Sequence, residues 1–444
     1  MRGAVAAGHP LTAEAGGRVL RAGGNAVDAC IAAAFMAAVT EGPLTGPAGG
    51  GFLLVAEPDR DPVVLDCFFA CPTRRVGVME EVLVEFADSG TQVFHVGEGS
   101  VAVPGLVAGL EEAHRRFGSL DWADLVEPAI EQARLGVVVD QPRTFLHGIL
   151  AGILLRTEAG ARVFGDPERV ATQELAETLG LVRDRGAKAV AELVPELGED
   201  LDAYRVAELE PLSAEVDGLV AFTTPAPSRG GAIALDILQG LVALDRWSLD
   251  DEACIVGRAY ERSWNGPRSG TTHISVLDAA GTAAALSSTL GSGSGVFRGG
   301  AQLNNMLGEL DVVGTDDLAP RSRIPSMMTP TAVLDSGRPR LVIGSAGSVR
   351  LAGAIAQVTW RVLRGAPVAQ AIDAPRLHVE GRTLHLEGGW AGDAVSELPD
   401  TWDVVRWDGL NLYFGGVQAV ERTADGLLAA AGDPRRGGVG LVVA

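Results

Sequence analysis

The sequence predicts an α+β chain, on three observations. Two capped, alanine-rich helical segments open it, strand patterns stand at 46–69 and again at 271–289, and residues 103–244 are patterned mainly for helix. Thr12 is placed to cap a helix that runs to about Ala22 and is closed by Gly23-Gly24. Asn25, with Asp28 three residues on, makes a second helix start that continues to about Val39. That helix is apolar nearly all round, so it is expected to lie buried between layers. Residues 46–55 read as loop then strand, and Pro62 to Phe69 as a strand that leads into a break at Cys71-Pro72. Leu106 to Phe117 and Leu120 to Gly136 carry helical spacing. Trp264 to Gly270 is polar, with Gly and Pro, and is expected to be an exposed or flexible lead into the strand pattern at Thr271.

Thr271 to Asp278 and Thr282 to Thr289 then alternate on either side of Ala279-Ala280-Gly281, which predicts a hairpin. A simple hairpin centred on Ala280 sets Thr271 opposite Thr289, with a bulge at Gly281 able to slip the pairing by one residue. Opposed threonines on one sheet face come within hydroxyl reach, so Thr289 is placed to orient the Thr271 oxygen or donate to it. Ordinary threonine-rich strand composition gives the same alternation. The chemical reading concerns the Gly270-Thr271 bond. A chain cut there frees a threonine whose hydroxyl is a nucleophile and whose α-amine, with a pKa near ~8, is its base. A second small-residue run, Gly344-Ser345-Ala346-Gly347-Ser348, comes after the strand pattern Arg340 to Ile343. Such a loop suits backbone N–H groups aimed at an oxyanion; by itself it is also an ordinary turn.

Composition narrows the partners. The 444 residues carry 36 Lys and Arg against 57 Asp and Glu, a formal charge of -21, which repels nucleic acid and anionic membranes. The four cysteines, Cys30, Cys67, Cys71 and Cys254, are too scattered for a disulfide scaffold. Cys67 and Cys71 have no neighbouring His or Cys cluster to complete a metal site, so neither metal nor cofactor is expected. No long apolar span or basic-then-apolar leader precedes Gly8-His9-Pro10, and a cytoplasmic location is expected. His9 and His273 are read as structural, because an amine base leaves them no catalytic task. Asp433-Pro434-Arg435-Arg436 is open to two readings, an anion site or a solvated turn with a local ion pair, of which the turn is preferred.

The block from Thr271 to Asn305, with Thr-Thr-His-x-Ser-Val, the Gly-Ser-Gly-Ser-Gly loop at 291–295 and Leu303-Asn304-Asn305, resembles the start of the small subunit of γ-glutamyltranspeptidases. Other segments agree in order: Gly8 to Leu11, Gly23 to Ala29, Gly49 to Phe52, Pro225 to Gly231, Pro325 to Thr331, Tyr413 to Gln418 and Asp433 to Arg436. The resemblance implies a four-layer αββα sandwich of the N-terminal nucleophile hydrolase type. It is made as a precursor and cut into two interlocked chains, residues 1–270 and 271–444, a heterodimer open to higher assembly. It implies Thr271 as nucleophile, Thr289 as supporting hydroxyl, and Gly347 and Ser348 as oxyanion-hole residues, with serine where the family has a second glycine.

Departures from the family pattern bear on substrate. Where the family has Arg-Glu-x-Ala-Pro, with the arginine gripping a glutamyl α-carboxylate, this chain has Phe68-Phe69-Ala70-Cys71-Pro72. The aspartate that pairs with the α-amine is matched by Glu309, four after Asn305, which is also assigned to substrate; of the paired serines only Ser326 remains, followed by Met327; and an asparagine is replaced by Gly291. Phe68, Phe69 and Met327 are thus expected to make the socket more apolar, although strand alternation sends one of the two phenylalanines away from it. The resulting expectation is a self-processing threonine amidohydrolase or acyltransferase that passes an acyl group from a small-molecule amide to water or an amine. A γ-glutamyl enzyme with a replacement arginine, such as Arg74 or Arg75, is the first alternative. An uncut, silent binding partner is the second.

Overall fold

The computed structural model describes residues 1–86, 90–263, 270–310 and 318–444. Most of the predicted lead into the cut site, Trp264 to Ser269, lies outside them. Helical capping explains the opening. Pro10 at the first helical position has its φ preset, so Pro10–Ala22 starts earlier than expected and is capped by His9, whose Nδ1 accepts from the Leu11 N–H at 3.0 Å. Thr12, read as the cap, lies inside the helix and turns its hydroxyl to Thr40 (2.9 Å) and Glu41 (3.1 Å). The second helix, Ala26–Thr40, begins with the expected Asn25/Asp28 capping box, and every residue in it is buried.

Two antiparallel sheets lie face to face. One runs in the order Val439–Val443, Gly3–Ala7, Thr272–Asp278, Ala283–Thr289, Gly50–Ala56, Val63–Cys67, Ala207–Leu209. The other runs Leu428–Gly432, Gly416–Arg422, Arg338–Ala346, Thr331–Asp335, Leu219–Thr223, Leu212–Val216. Pro10–Ala22, Ala26–Thr40 and Leu106–Phe117 cover the outer face of the first sheet, while Gly230–Val242 and Leu351–Leu363 cover the second. The layers are therefore αββα. The hairpin has the expected register: Thr272 faces Ser288 and His273 faces Ser287, with no slip at Gly281. Residues 207–223, expected to be helical, instead form three strands.

The central hairpin is buried on both faces, which separates its side chains into two cores. Ile274 and Val276 pack against the Ala26–Thr40 layer, whereas Leu277 joins Phe52, Phe68, Phe69, Met306, Val342 and Val420 between the sheets. His273 lies between the sheets against Gly344, where a Cβ would come 2.2 Å from its ring. Only glycine admits the imidazole there.

The segment from Asp433 to Arg436 corrects the expectation of a solvated turn. Asp433 is fully buried and bonds Arg376 at 2.6 Å and Arg435 at 3.1 Å, and Arg435 also meets Glu387 at 2.5 Å. The partners come from residues 376 and 387, so no local pattern announces them. Burial opposes ionisation of Asp433, but the two arginines hold its carboxyl below the ordinary range. Replacing Asp433 with Ala leaves Arg376 buried without a counter-charge, and we expect a loss of about 3–5 kcal/mol in unfolding free energy by urea titration.

Candidate active site

Thr271 immediately precedes the central strand Thr272–Asp278 and is 2 % exposed. Its partner at the far end of the hairpin, Thr289, is equally buried. The Thr289 hydroxyl donates to the Gly270 carbonyl and accepts the Gly291 N–H at 2.8 Å. The sequence expectation aimed this hydroxyl at the Thr271 oxygen; the structure gives its proton to the carbonyl on the other side of the same peptide bond. The Gly270 N–H in turn donates to the Gly291 carbonyl at 3.1 Å. Gly270 is thus held at both its N–H and its carbonyl, and a donor on that carbonyl withdraws electrons from the carbon that a nucleophile attacks.

The glycine-rich loop after Thr289 is held by residues expected to contact substrate. Asn305 Oδ1 accepts from the N–H groups of Ser292 (2.8 Å) and Gly293 (3.1 Å), and Glu309 Oε1 accepts from the Ser292 N–H and hydroxyl, both at 2.9 Å. Gly291 adopts φ +71°, and a Cβ there would sit 2.2 Å from Asn305 Oδ1. This accounts for the absence of a side chain at that position. Asn305 and Glu309 therefore shape the loop beside Gly270.

Thr271 lines a small cavity, about 70 Å³, that opens to solvent. Pro43, Leu44, Phe145, Leu146 and Leu412 give it apolar walls, and Glu41, Arg143 and Arg436 give it charge. Ala346, the last residue of Arg338–Ala346, reaches the same cavity. Gly347 (φ 126°) and Ser348 (φ 60°) come next, ahead of the Leu351–Leu363 helix, so their main chain turns sharply at the cavity edge. Glu41 is fully enclosed: Oε2 accepts from the Thr272 hydroxyl at 2.6 Å and Oε1 from Thr12. Burial pushes its carboxyl above the ordinary range against the pull of Thr272, Arg143 and Thr12.

The remaining expected pocket residues lie elsewhere. Phe68 and Phe69 are both buried in the core between the sheets, Phe68 stacked on Phe52 at 5.4 Å and set edge-on to Phe69 at 4.9 Å. The strand ends at Cys67, so simple alternation does not extend to them, and both rings turn inward. Ser326 accepts the Met328 N–H at 3.0 Å within its own loop, and Met327 packs in the outer core beside Gly230–Val242. Arg74 and Arg75 are exposed and outside the cavity walls.

The gamma-glutamyltranspeptidase family model matches residues 12–256 and 251–443. The chain belongs to that family. A glutathione hydrolase proenzyme of Pseudomonas aeruginosa is 31 % identical over 99 % of this chain and 94 % of its own length. An acylase ACY 1 proenzyme of a Pseudomonas species (strain SE83) is 27 % identical over 100 % of this chain and 94 % of its own. A cephalosporin acylase from Bacillus halodurans superposes with a TM-score of 0.83 at 21 % identity, covering 99 % and 95 % of the two chains, which shows the fold.

Sequence reasoning passed over Glu41 and Arg143. The signal for Glu41 was an acid directly after an otherwise apolar helix; Arg143, three residues after its cap and ion partner Asp140, had no signal that distinguished it from a surface ion pair. His273 proves to be a spacer. Its Nε2 lies 2.9 Å from the Ser275 hydroxyl, which donates to the Gln418 carbonyl, so Nε2 carries the proton and Nδ1 accepts from Ser287 at 2.8 Å. Burial lowers its pKa to about 3. The unfolded chain therefore binds a proton that the folded one excludes, and stability falls as pH drops below ~6.5. Between pH 7 and 5 this residue should account for about 2 kcal/mol, read as a shallower pH slope for His273→Gln than for wild type in urea unfolding.

Proposed function

We propose that this chain is a self-processing threonine amidohydrolase or acyltransferase. The Thr271 hydroxyl attacks the Gly270 carbonyl, the peptide C–N bond breaks as the Thr271 amine leaves, and the acyl group passes from nitrogen to oxygen. Water then cleaves the ester, leaving a Gly270 carboxylate and a free Thr271 amine, and residues 1–270 and 271–444 remain together as two chains. In turnover that amine takes the hydroxyl proton, Thr271 forms an ester with the acyl group of a substrate amide, and the protonated leaving amine departs. Water or a second amine receives the acyl group. The observation that carries this reading is the Thr289 hydroxyl on the Gly270 carbonyl, at a peptide bond whose rupture frees a threonine next to the cavity. Main-chain N–H groups of Gly347 and Ser348 are assigned to the oxyanion.

The donor is assigned as a small-molecule amide other than a γ-glutamyl compound. Phe68 stands where the family's carboxylate-binding arginine is expected, and losing such a partner for a buried carboxylate costs on the order of several kcal/mol. The 31 % identity with a glutathione hydrolase proenzyme favours the second reading, a γ-glutamyl hydrolase or transferase. Arginines in the cavity walls, Arg143, Arg435 and Arg436, are better placed than Arg74 or Arg75 to serve it. A cytoplasmic location is part of the proposal, supported by the buried thiols of Cys30 and Cys67, which stay outside any disulfide.

Intact-mass analysis is expected to resolve wild type into fragments 1–270 and 271–444, while Thr271→Ala stays whole. A wild type that remains one chain after prolonged incubation would favour the silent partner. For the processed enzyme, simple acyl anilides should exceed a γ-glutamyl anilide in kcat/KM by about tenfold or more; the reverse order would establish the γ-glutamyl reading.

A further inference from the structure

The cavity beside Thr271 holds a positive charge that the proposed reaction does not use. Arg435 and Arg376 are neutralised by Asp433 and Glu387, and Arg143 by Asp140. Arg436 is different. Its Nη2 donates to the Leu412 carbonyl at 3.1 Å, its Nε is buried without a partner, and among the described residues no carboxylate forms an ion pair with it. The stem lies over Gly416, where a Cβ would come 2.4 Å from Arg436 Cδ, and Nη2 is 3.7 Å from the position a Gly347 Cβ would take. The guanidinium is thereby held beside the Gly347-Ser348 turn, in a cavity that also contains Thr271. Burial draws its pKa down to about 10, with Asp433 opposing, which leaves it a cation at neutral pH.

The other polar groups of this wall do not supply the missing anion. Glu41 already receives the Thr272 and Thr12 hydroxyls, and burial favours its neutral form. Arg143, 6 % exposed on the same wall, is paired with Asp140, so it adds no uncompensated charge. Arg436 is half-buried with its Nε enclosed and unpartnered, and a carboxylate entering the cavity offers a guanidinium two parallel hydrogen bonds. Leu44, Phe145, Leu146 and Leu412 give the same cavity aliphatic and aromatic walls.

We propose that this cavity recognises a carboxylate carried on an apolar skeleton of the substrate amide, with Arg436 as the specificity-determining residue. The inference rests on Thr271 being the nucleophile. The carboxylate belongs either to the far end of the acyl group or to the leaving amine, and hydrolysis of three amides separates these: hexanoyl anilide, adipoyl monoanilide, and the hexanoyl amide of 4-aminobenzoate. One carboxylated amide should exceed hexanoyl anilide in kcat/KM by about 10- to 100-fold. Adipoyl preference assigns the anion to the acyl side and aminobenzoate preference to the amine side. In Arg436→Gln the ratio of carboxylated amide to hexanoyl anilide should fall to about one, and Arg436→Lys should keep part of the advantage. Absence of any preference in wild type, or an equal fall for all three amides in Arg436→Gln, would overturn the proposal.

Binding to the uncut Thr271→Ala chain keeps this separate from the reaction itself. By calorimetry, a carboxylated amide should bind at least about tenfold tighter than hexanoyl anilide, and the Arg436→Gln double variant should abolish the difference. If wild type hydrolyses no amide but this difference is present, the anion site stands and the catalytic reading falls. If all three amides bind alike, the anion site falls whatever the catalytic result.

Discussion

The antiparallel pairing of Thr272–Asp278 with Ala283–Thr289 is the constraint on which the site depends. Because successive residues of a strand face opposite ways, a slip of one position would take the Thr289 hydroxyl off the Gly270 carbonyl and turn His273 out of the gap between the sheets. The register is set from both sides at once. Ile274 and Val276 are locked into the helix-facing core, and Leu277 and His273 into the gap between the sheets. Gly344 admits the imidazole, and that imidazole spaces the second sheet, whose strand Arg338–Ala346 ends at the cavity. Geometry at Thr271 is therefore a product of packing well away from it.

Charge inside the molecule is organised around the same place. Asp433, Glu387, Arg376 and Arg435 form a compensated network at one end of the second sheet, and it positions the short turn that carries Arg436. Such a network adds less to stability than equal apolar packing would, since each ion is taken out of water. Its effect here is orientation: the Asp433 carboxylate also receives the Val417 N–H, tying the turn to the strand beside Arg338–Ala346. Glu41 performs a related task from the first helical layer, joining Thr12 to Thr272.

Features written in neighbouring residues were legible before the structure. The Asn25/Asp28 cap, the burial of the second helix, the Leu106–Phe117 helix and the hairpin register all depend on local signals, and all are present. Residues 207–223 show what happens when a regional pattern outweighs a local one. Asp217 and Gly218, with φ 53° and 76°, form a hairpin turn whose Asp-Gly signal stands in the sequence, within a stretch otherwise patterned for helix. Placement of Phe68, Phe69, Met327 and Arg436 was not legible, because it depends on how sheets stack and on partners far along the chain. Arg435 and Arg436 are adjacent and chemically identical and both reach the cavity, yet one meets Glu387 and Asp433 while the other donates to the Leu412 carbonyl.

The order of strands in the first sheet has a consequence for any break at Gly270-Thr271. Gly3–Ala7 lies between Val439–Val443 and Thr272–Asp278, while Gly50–Ala56 pairs with Ala283–Thr289, so segments from the two sides of that bond are interleaved in the sheet. Such a break is a nick within a continuous sheet. It makes reassembly a two-chain event but opens no face along which fragments can part, since separation requires stripping strands from both neighbours. Loss of a fragment would then proceed at the rate of unfolding, and the persistence of the nicked molecule would be a kinetic property, set by the barrier to tearing the sheet and insensitive to dilution on shorter timescales.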